Sequence, residues 1–282
     1  MMVDCGSRQL DLATPVVMGV LNVTPDSFSD GGSYFDAARA VAHAHDMISE
    51  GARIIDVGGE STRPGAARVP VQEELRRVIP VIEALSTLDV IVSVDTSKAE
   101  VMRAAVAAGA CMINDIRALN ESGALEAAAS TSAAVCLMHM QGQPATMQLA
   151  PHYDDVIGEV CDFLRMRIAA CERAGIARNR LIIDPGIGFG KTLQHNLELL
   201  AHLAGFKELS CPLLVGVSRK SMMGQLLNRA VNERVHGGVA IATAALLSGA
   251  KIIRTHDVAA TLDAVRVVQA LYEHGYSFCN DM

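Results

Sequence analysis

Short runs rich in Val and Ile alternate along the chain with longer stretches whose apolar residues recur every three or four positions. The runs lie at 15–22, 53–58, 90–95, 111–115, 134–139, 181–184, 212–217 and 251–255. Runs of this length, apolar at successive positions, predict strands of a parallel sheet buried on both faces. The stretches at 36–50, 72–86, 97–108, 122–131, 153–174, 193–204, 221–248 and 257–274 predict helices. Thr96 or Ser97 with Glu100, and Ser122, stand where N-caps are expected. Gly51, Gly109, Gly175, Gly249 and Gly275 stand where left-handed C-caps should stop the helices.

Eight such strand-helix units in 282 residues average about 35 residues each, which predicts an α/β chain folded as a single-domain (β/α)8 TIM barrel over 1–282. No Pro-, Ser- or Gly-rich linker divides the series. Val3 to Leu12 alternates weakly and predicts a short hairpin covering the bottom of the barrel.

Composition narrows the ligand. Half of the residues are hydrophobic, enough for a large core, and 24 basic against 31 acidic residues give a net charge of −7. With no basic block longer than two residues, a general nucleic-acid or anionic-membrane surface is excluded. The chain has no Trp, 4 Tyr and 6 Phe, so stacking platforms for bases or sugars are scarce. A small polar ligand fits better. The 7 cysteines are scattered, never at zinc spacing, and read as reduced core residues. Neither a signal-like N-terminus nor a run of about 18 apolar residues occurs, so the expected location is the cytoplasm. On that expectation the sequon at Asn22-Val23-Thr24 is accidental.

The strands end on polar residues: Asn22, Asp56, Asp95, Asn114, His139, Asp184, Ser218, and Arg254 with His256. In a barrel these ends gather at the C-terminal rim, where barrel enzymes carry their chemistry. Asp56, Asp95 and Asp184 can accept N–H groups of a heterocycle, and Asn114 can both donate and accept. Arg63, Lys220, Arg254 and His256 can meet a phosphate, which the loops after strands seven and eight commonly bind in this fold. A polar ring with an anionic tail would satisfy both sets.

Two polar, Gly-rich segments, 24–32 and 58–65, have the composition of mobile active-site loops. The segment 186–192 ends in Gly-Lys-Thr but leaves three residues after Gly186 where a phosphate-binding Walker loop needs four. It is therefore expected to be a rim loop, with Phe189 as an apolar wall.

The runs Gly19 to Gly32, Ile55 to Gly65, Ser93 to Thr96, Asn114 to Ile116, Asp184 to Gly186, Ser218 to Ser221 and Ile253 to Val258 resemble the bacterial dihydropteroate synthases. The resemblance extends over about 15 to 270. It implies a transferase that condenses 6-hydroxymethyl-7,8-dihydropterin diphosphate with 4-aminobenzoate, giving 7,8-dihydropteroate and diphosphate. By matching motif, Asp95, Asn114, Asp184 and Lys220 would hold the pterin, with Asp56 close by. Asn22, Arg254 and His256 would take the diphosphate, Asn22 also binding Mg2+. Thr62 and Thr255 belong to the same pterin-diphosphate set. Phe28, Thr62, Arg63, Pro64, Phe189 and Ser221 would shape the aminobenzoate side, and Lys220, Arg254, His256 and Asp95 would carry the catalysis. The resemblance also implies a homodimer, and sulfonamides as mimics of aminobenzoate.

Other functions share part of this pattern. A pterin-binding methyltransferase barrel would use the ring-reading carboxylates with methyltetrahydrofolate, but would have no use for the first loop, Asn22 and the Arg254/His256 pair together. A non-catalytic pterin-binding protein would bind without releasing diphosphate. A Schiff-base role for Lys220 is a further alternative, and its position beside Ser218 and Arg219 favours an anion or pterin contact instead.

Overall fold

A hairpin of β1 (Met2–Asp4) and β2 (Gln9–Asp11) precedes eight parallel strands. These are β3 (Val16–Asn22), β4 (Ile54–Gly58), β5 (Ile91–Asp95), β6 (Met112–Asp115), β7 (Ala134–Met138), β8 (Leu181–Asp184), β9 (Leu214–Gly216) and β10 (Ile252–Thr255). They pair in the order β8-β7-β6-β5-β4-β3-β10-β9. A parallel bridge of Ile183 with Leu213 and the Ile183 N–H donating to the Pro212 carbonyl at 3.0 Å join the two ends, closing the barrel. Around it lie α1 (Ser33–Ser49), α2 (Val71–Ser86), α3 (Ala99–Ala107), α4 (Ala124–Ala129), α5 (Val156–Arg173), α6 (Leu193–Ala201), α7 (Ser221–Leu227), α8 (Val235–Leu247) and α9 (Val258–Glu273). The computed structural model describes residues 1–24, 33–61, 65–66 and 68–276, without the side chains of 33–36. Phe28, Thr62, Arg63, Pro64 and Cys279 therefore lie outside the described residues.

The two-residue alternation of side chains along a strand sorts every barrel position. Ile55, Val57, Val92, Val94, Ile113, Val135, Leu137, Ile183, Val215 and Ile253 point outward and pack under the helices in one large apolar cluster. Met18, Ile54, Ile91, Met112, Ala134, Cys136, Ile182, Leu214 and Ile252 point inward and fill the barrel in a second. Two residues further along β4, β6, β8 and β10 the same inward parity brings Asp56, Asn114, Asp184 and Arg254 to the mouth. Alternation that is invisible in a strand buried on both faces thus becomes visible where the inner positions turn polar.

The hairpin seals the opposite end. Val3, Cys5, Leu10 and Leu12 join the inner cluster, so the hairpin is the floor of the barrel interior. Gly6 turns it with φ +72, and a Cβ there would lie 2.4 Å from Ser132 Oγ. Leu12 is fully buried. Leu12→Ala is expected to cost about 2–5 kcal/mol, the usual result of a large-to-small change in a core, read as a lowered denaturant midpoint.

Helix ends depart from expectation in three places. The apolar stretch 221–248 divides into α7 and α8, because Asn228 takes φ +51 and a 3-10 turn at Val231–Glu233 intervenes. Neither Thr96, Ser97 nor Ser122 caps a helix with its side chain: α3 begins after Lys98 and α4 after Gly123. The Thr96 hydroxyl accepts the Lys98 N–H at 3.2 Å, and the Ser97 hydroxyl is drawn to the buried Asp115 carboxylate at 2.5 Å. The five C-cap glycines all take positive φ, as expected. The six described cysteines are free and buried.

Candidate active site

Asp56 is the centre of the mouth. Its fully buried carboxylate accepts the Ser93 hydroxyl at 2.7 Å, the Asn114 amide at 2.9 Å and the Arg254 Nε–H at 2.7 Å. A buried carboxylate is costly unless its lone pairs are met, and here hydroxyl, amide and guanidinium meet them. Arg254 also donates from Nη2 to Asp95 at 2.8 Å, so one guanidinium bridges the ends of β4 and β5. These contacts use two of the five N–H groups that a guanidinium carries, leaving others for an anion. Burial pushes Asp95 up to about 7 against the pull of Arg254, with Asp56 adding to the rise.

Across the mouth, Asp184 accepts the Gly186 N–H at 2.7 Å through Oδ1. Burial raises this carboxyl, and Lys220 opposes the rise. The Lys220 ammonium donates to the Ile187 carbonyl and sits 4.8 Å from the centroid of the half-buried Phe189 ring. Burial pushes Lys220 down to about 8, with Asp184 resisting and Arg254 adding. His256 and Ser218 form the adjoining corner. The Ser218 hydroxyl accepts the His256 N–H at 3.2 Å, lies 3.2 Å from His256 Nδ1 and donates to Asp257 at 3.3 Å. Ser221, exposed, begins α7 beside Lys220. The half-buried Asn22 ends β3, and a Cβ on Gly58 would lie 3.7 Å from its Oδ1 and 3.6 Å from Asp95 Cβ.

The convergence of Asp56, Asp95, Asn114, Asp184, Lys220 and Arg254 is the main outcome, with Asn22, His256, Phe189 and Ser221 around it. Two rim residues turn away. Thr255 follows the outward parity of Ile253: its hydroxyl accepts the Asp257 N–H at 3.0 Å and meets Thr261 of α9 at 3.1 Å, so its side chain joins strand to helix. His139 lies one residue beyond the inward Met138 position and packs edge-on against Phe163 of α5, with ring centroids 4.9 Å apart. Arg254 is held by two carboxylates, so the mouth interleaves the two signs of charge.

Several contributors escape a search for strand-end polarity. Ser93 is mid-strand, yet its inward parity with Asp95 marks it as a partner for Asp56. Arg234 donates from Nη1 to the Arg219 and Lys220 carbonyls at 3.3 and 3.2 Å, bracing the turn before α7. No sequence signal near Arg234 announces this role, because it depends on the α7–α8 break.

Lys220 makes the site sensitive to pH. Below about 8 it is an ammonium facing Asp184, and above that it becomes a neutral amine. kcat/KM for an anionic ring substrate is therefore expected to fall with rising pH through this range, since that parameter reports groups of the free enzyme. Lys220→Arg, which stays charged, should remove the alkaline limb while lowering the plateau. An identical limb in the variant would contradict the assignment.

Comparison with known proteins agrees with this geometry. The profile of the family described as "Pterin binding enzyme" matches residues 18–256. The dihydropteroate synthase of Escherichia coli strain K12 is 61% identical over 262 residues, covering 93% of each chain. The crystal structure of the Yersinia pestis dihydropteroate synthase with a sulfonamide drug complex superposes with a TM-score of 0.92 at 56% identity, covering 97% of this chain and 100% of the other. That of Xanthomonas albilineans dihydropteroate synthase in complex with 7,8-dihydropteroate gives 0.86 at 49%, covering 96% and 98%. With this family match, these relatives and the closed barrel, the chain belongs to the pterin-binding enzymes, as a member of the dihydropteroate synthase family.

Proposed function

We propose that the mouth binds 6-hydroxymethyl-7,8-dihydropterin diphosphate and 4-aminobenzoate and joins them into 7,8-dihydropteroate, releasing diphosphate. The observation that carries this reading is the clustering of three carboxylates and an amide with Arg254 and Lys220 in one buried mouth. Asp95, Asn114 and Asp184 match the donor and acceptor edges of a pterin, with Asp56 beneath and Lys220 beside the ring. Arg254, His256 and Asn22 take the diphosphate. Phe189 and Ser221 stand on the aminobenzoate side.

In the reaction the C–O bond from the pterin methylene to diphosphate breaks, and its electron pair leaves with the diphosphate. The aminobenzoate nitrogen forms the new C–N bond and then loses a proton to solvent or to the departing anion. The amine is itself the nucleophile, so the protein need not supply one. Its work is electrostatic: Arg254 and His256 meet the charge developing on the leaving group, while Asp184 and Asn114 fix a ring that delocalises positive charge in a dissociative path. Keeping water out until the amine arrives protects the electrophilic carbon.

The donor set also fits Mg2+. This ion takes oxygen ligands and is usually held by one or two protein groups together with substrate phosphates. Asn22 Oδ1 offers one neutral oxygen beside the space that a Cβ on Gly58 would fill. Among the described residues no group of three or more His, Cys, Asp or Glu could hold a metal alone, and in this reading the diphosphate supplies the remaining ligands. When bound, the ion would neutralise charge on the leaving diphosphate. Excess chelator is expected to abolish product formation followed by mass spectrometry, with Mg2+ restoring it. Full activity in chelator would remove Asn22 from this role.

The same reading takes 1–282 as one domain and the enzyme as a homodimer in the cytoplasm. Leu226, Leu227 and Val231, between 43% and 52% exposed, are apolar surface that a second copy could cover. No helix among the described residues is long and apolar enough to cross a membrane.

A further inference from the structure

The turn after β8 is held by a buried amine that the reaction does not use. Lys191 is only 2% exposed. Its Nζ lies 3.0 Å from the Gly186 carbonyl, 3.0 Å from the Phe189 carbonyl, 2.9 Å from His139 Nδ1 and 3.5 Å from the His139 carbonyl. Burial pushes Lys191 well below the ordinary lysine range, with Asp184 resisting, and in either protonation state its amine carries N–H donors that match a cage made of carbonyls. Burial, and then the Lys191 charge, push His139 down to about 2, which keeps the ring neutral; the tautomer protonated on Nε2 leaves Nδ1 to accept from Lys191.

The turn depends on this filling. Gly186 has φ +69, and a Cβ on it would lie 1.8 Å from the His139 carbonyl, so the backbone is pressed against the end of β7. The carbonyls between the two that Lys191 holds are also engaged: Ile187 by the Lys220 ammonium and Gly188 by the Gln148 amide at 2.7 Å. Tyr153 donates to the Gly190 carbonyl at 2.8 Å. Four side chains thus hold the turn through its carbonyls, and among the described residues Lys191 is the one that binds both of its shoulders. Without that amine the Gly186 carbonyl would keep the Phe189 N–H at 3.1 Å, but the Phe189 carbonyl would lose its side-chain donor, a cost that favours rearrangement of the turn.

We propose that Lys191 is a positioning residue: its side-chain amine fills the turn 186–190 and thereby sets the Phe189 ring and the Ile187 carbonyl that holds Lys220. This rests on the reading that Phe189 faces 4-aminobenzoate. The effect on that substrate should exceed the effect on pterin diphosphate, because Phe189 is held directly and Lys220 through Ile187.

The test uses Lys191→Ala, in which n-propylammonium has the length to replace the missing side chain beyond Cβ. KM for 4-aminobenzoate is expected to rise about 10- to 100-fold, the scale of a misplacement of about 1 Å, with a smaller change in pterin diphosphate affinity by calorimetry. n-Propylammonium chloride should recover most of the loss, and tetramethylammonium chloride, which has no N–H, should not. A folded variant with wild-type KM would overturn the proposal, as would a loss that both salts relieve equally or that neither relieves. If Lys191→Ala does not fold, His139→Leu keeps the amine but removes its imidazole partner: a raised KM supports the proposal and an unchanged one overturns it. Phe189→Ala separates the two claims. If it raises KM while Lys191→Ala does not, only the positioning role falls; if neither does, the aminobenzoate assignment of Phe189 falls as well.

Discussion

Arg254→Met is expected to lower kcat by about 100- to 1,000-fold, the scale seen when one preorganised group that meets developing negative charge is removed. The variant should also be less stable. Arg254 is the bridge between Asp56 and Asp95, at 2.7 and 2.8 Å, and methionine fills space without supplying charge. Removing one partner of a buried ion pair costs about 3–5 kcal/mol because the other is left uncompensated. Here two carboxylates are left together. Burial already raises Asp95 in the intact site, and loss of the guanidinium would raise it further. A group whose folded pKa is raised contributes stability that is lost as pH rises, so the variant's deficit should grow with pH and shrink when one carboxyl is protonated. Thermal unfolding at acidic and alkaline pH, beside single-turnover kinetics, reads both effects. A stability deficit independent of pH would mean that the two carboxylates do not share this cation.

Asp184→Ala is expected to weaken pterin diphosphate binding by about 100-fold or more, since each hydrogen bond to a charged group contributes roughly 1.5–3 kcal/mol and a pterin edge offers more than one donor. The fold should survive. Among the described residues the carboxylate has one backbone bond, from the Gly186 N–H, and the β8 turn keeps its contacts with Lys191, Gln148 and Tyr153. The variant therefore separates binding from stability, where Arg254→Met joins them. Unchanged affinity by calorimetry, with an unchanged melting profile, would count against Asp184 as a ring contact.

Much of this mouth is legible in the sequence, for a physical reason. A buried parallel strand tolerates polar residues poorly, so Asp56, Asp95, Asn114 and Asp184 at successive strand ends stand out, and the eight-unit count converts those ends into one rim. Strand parity then decides which of them face inward, but continuous apolar runs hide it until the structure shows which residues fill the barrel. That is why His139, polar at a strand end, is expected at the rim and instead packs against the outer layer, as does Thr255, which the resemblance alone places in the pterin-diphosphate set. Pairing is less legible than position. The motifs identify Arg254 as a cation for an anionic ligand, while its two protein carboxylates come from strands roughly 160 and 200 residues away in sequence. Lys191 shows the same limit: the spacing of its Gly-Lys-Thr ending excludes a Walker loop and predicts a rim loop, and only the folded turn shows the amine directed at its own carbonyls.

The most direct test of the central claim is diphosphate release from 6-hydroxymethyl-7,8-dihydropterin diphosphate with Mg2+, measured with and without 4-aminobenzoate. The assigned chemistry predicts release that depends on the amine and matches 7,8-dihydropteroate formed mole for mole. Pterin diphosphate bound without release under either condition, or release that takes no account of the amine, would contradict it.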